Sequence, residues 1–422
     1  MKPKKRMGEA MNSQSALGKS CKHPAVRGCG AVVLLLLVQA CCGLGARAQD
    51  KAKDWPTAEP KEMGINAGQL DDFSADIAAG KYGLVDSMLV IRCGKAVYDK
   101  TYQHDYGQIY GERAKTEGPL NHDLHGPYNY FSTDFHPYYK GTDMHTMQSV
   151  SKTLTSVTIG IARTRNDFTA APDTPIIKYF DAKKVAKLDD RKKHITVRDL
   201  LTMTAGLEWH EDLPYDDPKN SADIMEASHD WVQYAMDQPM AADPGTKFVY
   251  NSGATELLAH VFKKVTGKNV DEYADEHLFK PLNIHYYWKH TPTGLPDTEG
   301  GLYLPAHDLA KIGQLYLKRG TWGEQDIVSG SWVKDSVAPH ITVGEDDWKY
   351  GLLWWLKAFG TAPEDVTWEA RGFGGQQLMV VPEYDMVVVF TGWDILPSKE
   401  KRPHDMLERT LAASQRFFGC TE

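Results

Sequence analysis

With 422 residues, 42% of them apolar and 25% charged, the chain has an ordinary globular composition, which excludes disordered and collagen-like classes. That length can bury a large core in one domain or in two closely packed ones. The formal charge of −8 makes nucleic acid and anionic membrane unexpected partners.

The first 48 residues hold eight Lys and Arg against one acid, Glu9, and include the apolar run 31–40 and the small-x-small triplet Ala46-Arg47-Ala48. Basic leader, apolar segment and cleavage site together read as a secretory signal peptide, which places the mature chain in the periplasm or outside the cell. The run is too short to span a bilayer. Removing the leader takes the formal charge from −8 to −15. Gln39 stands where a lipoprotein signal has a small residue, so anchoring through Cys41 is disfavoured. Of six cysteines only Cys93 and Cys420 follow the leader, and two cysteines in an exported protein are candidates for a bridge. No Cys/His grouping has zinc-site spacing, and His122-Asp123-Leu124-His125 lies in a loop-like segment. Neither metal nor organic cofactor is expected.

Residues 49–60 read as a linker and 65–79 as a first helix. Two β-rich runs over 87–102 flank Cys93-Gly94-Lys95, a hairpin pattern. Segment 104–141 runs long without periodicity and is rich in Tyr, His, Gly and Asn. Such a stretch is either an ordered wall beside a site or a surface-packed insertion. Further on, 195–207 reads as a helix ended by Gly206, and 216–238 as helical with a proline break. Segment 254–266 reads as an amphipathic helix closed by Gly267, and 308–319 as another. Strands are expected at 366–369, 377–381 and 386–391, and a terminal helix at 401–418. Strands at both ends with helices between them predict an α+β architecture. Its sheet is built from both termini (about 61–145 and 300–418), with a helical lobe (about 146–299) inserted.

The most informative stretch is 145–163, HTMQSVSKTLTSVTIGIAR, where Lys152 is the only charged residue between Asp143 and Arg163 apart from histidine. On a helix Val150, Leu154, Val157 and Ile161 form one stripe, whereas Ser149, Lys152 and Ser156 gather on another face. Burial would disfavour the Lys152 ammonium, and the amine would then accept the Ser149 proton. A packed helix with a snorkelling lysine is the competing reading. Two further S-x-x-K spacings, Ser331–Lys334 and Ser398–Lys401, sit among other charges and read as solvated.

These residues, with four later blocks, resemble the serine β-lactamase-like superfamily. The resemblance is to its class C β-lactamase-related branch, which also holds family VIII carboxylesterases, 6-aminohexanoate-oligomer hydrolases and D-amino acid peptidases. SVSK at 149–152, LLTMTAGL at 200–207, PGTKFVYNSG at 244–253, GGLYLPAHDLAKIGQLYL at 300–317 and ARGFGGQ at 370–376 follow the family's order. The resemblance spans about residues 55–418 and implies a β-lactamase/transpeptidase-like fold: an antiparallel sheet built from both chain ends, flanking helices and an inserted helical lobe. It implies Ser149 as nucleophile, Lys152 and Tyr250 as its base pair, and backbone N–H groups of Ser149 and Gln376 as oxyanion donors. It also implies a bridge between Cys93 and Cys420.

On residue type alone Tyr250 would pass for a core aromatic, and Gly372, Gly374 and Gly375 for a bulge or turn. Two departures from the family pattern matter. Ser252 stands where a Tyr-x-Asn motif has asparagine, and Phe373-Gly374-Gly375 stands where β-lactamases have Lys-Thr-Gly. Arg371 is a nearby cation that could partly replace the missing lysine, and Trp209 could supply an apolar wall. The expected activity is cleavage of small esters or amides with an uncharged, partly apolar acyl group. A β-lactamase, a D-alanyl carboxypeptidase or D-aminopeptidase, and a non-catalytic acyl- or penicillin-binding sensor are the alternatives. No G-x-S-x-G occurs, which disfavours an α/β-hydrolase.

Overall fold

A computed structural model describes residues 55–344, 347–396, 403–416 and 419–420, without the side chains of 403 and 404. The leader, Cys41, Ser398 and both ends of the expected terminal helix lie outside these residues. Eight strands form one antiparallel sheet: β1 (Val85–Arg92), β2 (Lys95–Thr101), β3 (Ile341–Val343), β4 (Trp348–Tyr350), β5 (Trp355–Ala358), β6 (Val366–Gly372), β7 (Gln376–Val381) and β8 (Met386–Gly392). Their spatial order is β2-β1-β8-β7-β6-β5-β4-β3. The N-terminal hairpin joins the C-terminal strands through β1 and β8, with Leu89 opposite Val389.

Period-two alternation sends each strand's side chains to two separate cores. Met88, Val90, Met379, Val388 and Phe390 pack under α1 (Ala67–Ala78) and α5 (Pro403–Ala412). Leu89, Ile91, Leu378, Val380, Val387 and Val389 belong to the larger core. That core also takes in α2 (Val150–Thr164), α3 (Ser252–Thr266) and α4 (Ala306–Leu317). Because both faces are covered, Met88–Ile91 of β1 and Met386–Phe390 of β8 are continuous apolar runs. A disulfide joins Cys93, in the β1–β2 turn, to Cys420. Among the described residues no helix is long and apolar enough to cross a membrane.

The helical expectations need three corrections. The segment 195–207 is helical only over Val197–Leu201. Met203 takes a left-handed φ of 57° and the Thr202 and Thr204 hydroxyls bond each other at 2.8 Å, so the chain leaves the helix before Gly206. The segment 216–238 forms two helices, Ser221–Glu226 and Trp231–Asp237, each with its own side-chain cap, Asn220 and Asp230. Pro218 precedes both, so the break comes from the second cap and not from proline. Finally, α2 is buried on every side from Val150 to Ala162, not along one stripe. The short strands β3, β4 and β5 carry no sequence pattern long enough to announce them.

Candidate active site

Ser149 is the N-cap of α2 and is partly exposed, while Lys152, one turn on, is 1% exposed. The residue before the serine, Gln148, holds a left-handed φ of 49°, an uncommon conformation for a non-glycine residue, and its side chain donates to Thr146 Oγ1 at 2.8 Å. The short strand Leu302–Leu304 is laced to this turn. Leu302 O accepts from Met147 N–H at 2.8 Å, and its N–H donates to Ser151 Oγ at 3.0 Å. This places Glu299, three residues earlier, beside Lys152.

Lys152 Nζ donates to Ser149 Oγ at 2.9 Å and to the Glu299 carbonyl at 2.7 Å, and it lies 3.9 Å from Glu299 Oε2. The Tyr250 ring centroid is 5.2 Å from the same nitrogen. Tyr250 is fixed from both sides: Val249 N–H donates to Met203 O at 2.9 Å, and Asn251 caps α3 by accepting from Ala254 N–H at 3.0 Å. The asparagine that sits one place early in the tyrosine motif is thus a helix cap.

The charge state of Lys152 differs from the sequence expectation. Desolvation lowers its pKa, but Tyr250, Glu299, Glu211 and Asp297 outweigh that, and the net shift is upward. The resting group is an ammonium. Burial raises the Tyr250 pKa as well, with Lys152 opposing in part, so the tyrosine rests protonated.

Across from Ser149 lies the β6–β7 turn. A side chain at Gly372 would meet Met147 O at 2.4 Å, so only glycine lets this edge come against the residues preceding the serine. Gly374 (φ 83°) and Gly375 (φ 107°) make the turn. Gln376 pairs with Gly372, and its side chain points away from the serine, donating to Phe373 O at 3.0 Å and Gly392 O at 2.6 Å. Phe373 packs on Tyr215 at 4.7 Å between ring centroids and, with Ser149, lines a narrow cavity.

The cavity leaves about 20 Å³ for the centre of a water-sized sphere, room for roughly one water. Tyr215 with Leu120, Tyr130, Gln148, Asp223, Glu226 and Glu299 completes its wall. Segment 104–141 therefore supplies part of the site, through Leu120 and Tyr130. Ser252, Trp209 and Arg371 are not in that wall. The Ser252 hydroxyl and Trp209 Nε1 both donate to the Glu211 carboxylate, at 2.6 and 2.7 Å, and both residues are buried. The Arg371 guanidinium lies over Trp348 at 4.6 Å.

The sequence reading missed the buried acids. Glu211 accepts from Trp209, Tyr215 and Ser252, and Glu256 from Thr298 and Glu299 N–H. Glu226 and Glu299 both line the cavity. Burial pushes Glu226 up to about 7 and Glu299 well above the usual carboxylate range. Lys289, also fully buried, lies 3.5 Å from Asp297 and 4.3 Å from the Tyr128 ring centroid. In sequence, Asp297-Thr298-Glu299-Gly300 looks like a solvated turn, and only the three-dimensional packing shows otherwise.

The chain matches the family described as Beta-lactamase over residues 83–409. It is 26% identical over 283 residues to a 6-aminohexanoate-dimer hydrolase of Paenarthrobacter ureafaciens, covering 62% of this chain and 68% of that one. Its fold is similar to that of a family VIII carboxylesterase (TM-score 0.58, 15% identity, 85% of this chain and 98% of that one). It is also similar to that of a D-stereospecific amidohydrolase from Streptomyces sp. (TM-score 0.55, 16% identity, 82% and 98%). The family match covers most of the chain, including the blocks that hold Ser149, Lys152 and Tyr250, and the chain therefore belongs to the β-lactamase family of serine hydrolases.

Proposed function

We propose that this chain is an exported hydrolase that cleaves small esters or amides through an acyl-enzyme on Ser149. The observation that carries the reading is the 2.9 Å contact between a buried lysine and a partly exposed serine at a helix N-terminus, with the Tyr250 ring 5.2 Å from the lysine nitrogen. In this scheme the Lys152–Tyr250 pair first loses one proton. Ser149 Oγ then attacks the carbonyl carbon as its own proton passes to the pair. The oxyanion is held by the N–H groups of Ser149 and Gln376, and the pair returns the proton to the leaving alkoxide or amine. Water repeats the sequence on the acyl-enzyme and frees the acid. Export is supported by the basic leader and by the Cys93–Cys420 disulfide.

The wall of the cavity argues against β-lactams as preferred substrates. Phe373 occupies the place of a carboxylate-binding lysine, and Asp223, Glu226 and Glu299 present carboxyl groups to whatever enters. Losing one charged hydrogen bond costs about 1.5–3 kcal/mol, one to two decades. The test compares p-nitrophenyl butyrate with benzylpenicillin. The ester is expected to lead in kcat/KM by at least about two decades, with a transient acyl adduct on Ser149 by intact mass. Fast penicillin turnover with little esterase activity would make the β-lactamase reading the better one. A long-lived penicilloyl adduct without turnover would favour the sensor.

A further inference from the structure

A groove of about 480 Å³ opens where α4 meets the β1–β2 turn, and its wall shares no residue with the Ser149 cavity. Trp55 and Trp322 form its corner, with ring centroids 6.3 Å apart and ring planes at 87°. Trp55 is 6% exposed and is pinned by its Nε1, which donates to His307 O at 3.1 Å. Trp322, on the small hairpin that pairs Thr321 with Asp326, stays partly exposed. Between them stands Gln314 of α4. It is 7% exposed and lines the groove, yet among the described residues its Oε1 has no hydrogen-bond partner. A buried acceptor without a partner is unfavourable, and a ligand that donates to it recovers that loss on binding.

The wall sets the chemistry of that ligand. A glutamine amide presents an acceptor and a donor side by side, whichever way it is turned. A carboxylate or a phosphate brings acceptors alone and leaves Oε1 unpaired, and a hydrocarbon brings neither group. Neighbouring hydroxyls bring both. The one charged side chain in the described wall is Lys318, which reaches solvent, and Thr321 adds a hydroxyl of its own. A pyranose ring with equatorial substituents has a rim of hydroxyls and two faces of C–H groups, which suits an indole beside an amide. We infer that this groove binds a neutral oligosaccharide of equatorially substituted pyranoses, with a ring face on Trp322 and ring hydroxyls on Gln314. Trp55 also walls a second cavity, of about 290 Å³, that holds Glu59, Asp99 and His307. Rings beyond the first would find polar partners there. The site acts independently of acylation at Ser149.

The test titrates the mature, oxidised chain by calorimetry with cellotetraose and with chitotetraose, which share the equatorial ring pattern and differ by hydroxyl against acetamido. At least one should bind with a Kd below about 1 mM. Trp322→Ala and Gln314→Met should each weaken that binding by at least about fivefold. Ester turnover should stay at the parental level in both, because neither residue borders the Ser149 cavity. Ser149→Ala should bind the sugar as the parent does. No heat from either sugar at about 10 mM would overturn the site. Unchanged affinity in both groove variants, folded by circular dichroism, would put the sugar elsewhere and overturn the assignment. Loss of binding in Ser149→Ala would put it in the acylation site, with the same consequence. Dimerisation of the parent that Trp322→Ala abolishes, with no sugar bound, would make a second copy the occupant and overturn the saccharide reading.

Discussion

Glu226 should make the folded chain lose stability as pH rises, and Glu226→Gln should remove that loss. Burial lifts its folded-state pKa to about 7 from an ordinary 4.5. Each unit of difference is worth about 1.36 kcal/mol, so the full linkage is on the order of 3 kcal/mol. The sign follows from proton binding. Below about 4.5 the group is neutral in both states and its contribution is fully present. Between there and about 7 the unfolded chain releases the proton while the folded chain keeps it, and stability falls. Above about 7 both states are ionised and the loss is complete. Glutamine preserves an acceptor for the Tyr130 hydroxyl without titrating. In urea unfolding of the mature, oxidised chain at pH 5, 6, 7 and 8, the advantage of Glu226→Gln over the parent should grow by about 2–3 kcal/mol across the series. Parallel curves, offset by the same amount at every pH, would refute the assignment of a protonated Glu226 to the fold.

Ser149→Ala and Lys152→Ala should each reduce ester turnover by at least about a thousandfold, because members of a nucleophile–base unit fail together. Ser331→Ala, on the exposed face of the helix Gly330–Ser336, should stay near parental activity by the same stopped-flow assay. Because the pKa values of Lys152 and Tyr250 are both shifted upward, kcat/KM for a neutral ester should rise with pH on the alkaline side of neutrality; a profile already flat from pH 6 would contradict a pair that must first lose a proton. Maleimide labelling of the denatured, non-reduced mature chain should find no free thiol at Cys93 or Cys420, and labelling of both would contradict the bridge.

The parts of the fold that were legible in sequence are those where local pattern and tertiary role agree. The helix ending at Gly267 carries its own C-cap, a glycine at φ 77°, and the hairpin around Cys93-Gly94 carries its own turn. Strands β6, β7 and β8 are long enough for their apolar character to show. Strands β3 to β5 have three or four residues each and take their conformation from pairing, with Trp355 opposite both Tyr350 and Glu369. The helix expected over 195–207 failed for a related reason: its later residues spend their hydrogen bonds elsewhere, Gly206 O accepting from Ala241 N–H and Ala242 N–H.

Lys152 shows where a one-dimensional argument about chemistry stops. Its isolation among apolar residues correctly indicates burial, and burial alone would give a neutral amine. Its protonation, however, is favoured by Tyr250, Glu299, Glu211 and Asp297, which are remote in sequence, and the three acids look like ordinary surface or turn residues there. Three of the four are acids, and together the four outweigh burial and favour the ammonium. Such a lysine cannot take the Ser149 proton at rest; it can hold the serine oxygen as a hydrogen-bond donor and lower the cost of charge on the tyrosine oxygen beside it. Glu299, 3.9 Å from Lys152, also lines the cavity, and burial raises its own pKa well above the usual carboxylate range, so the protonation of the cavity wall and that of the base pair are linked.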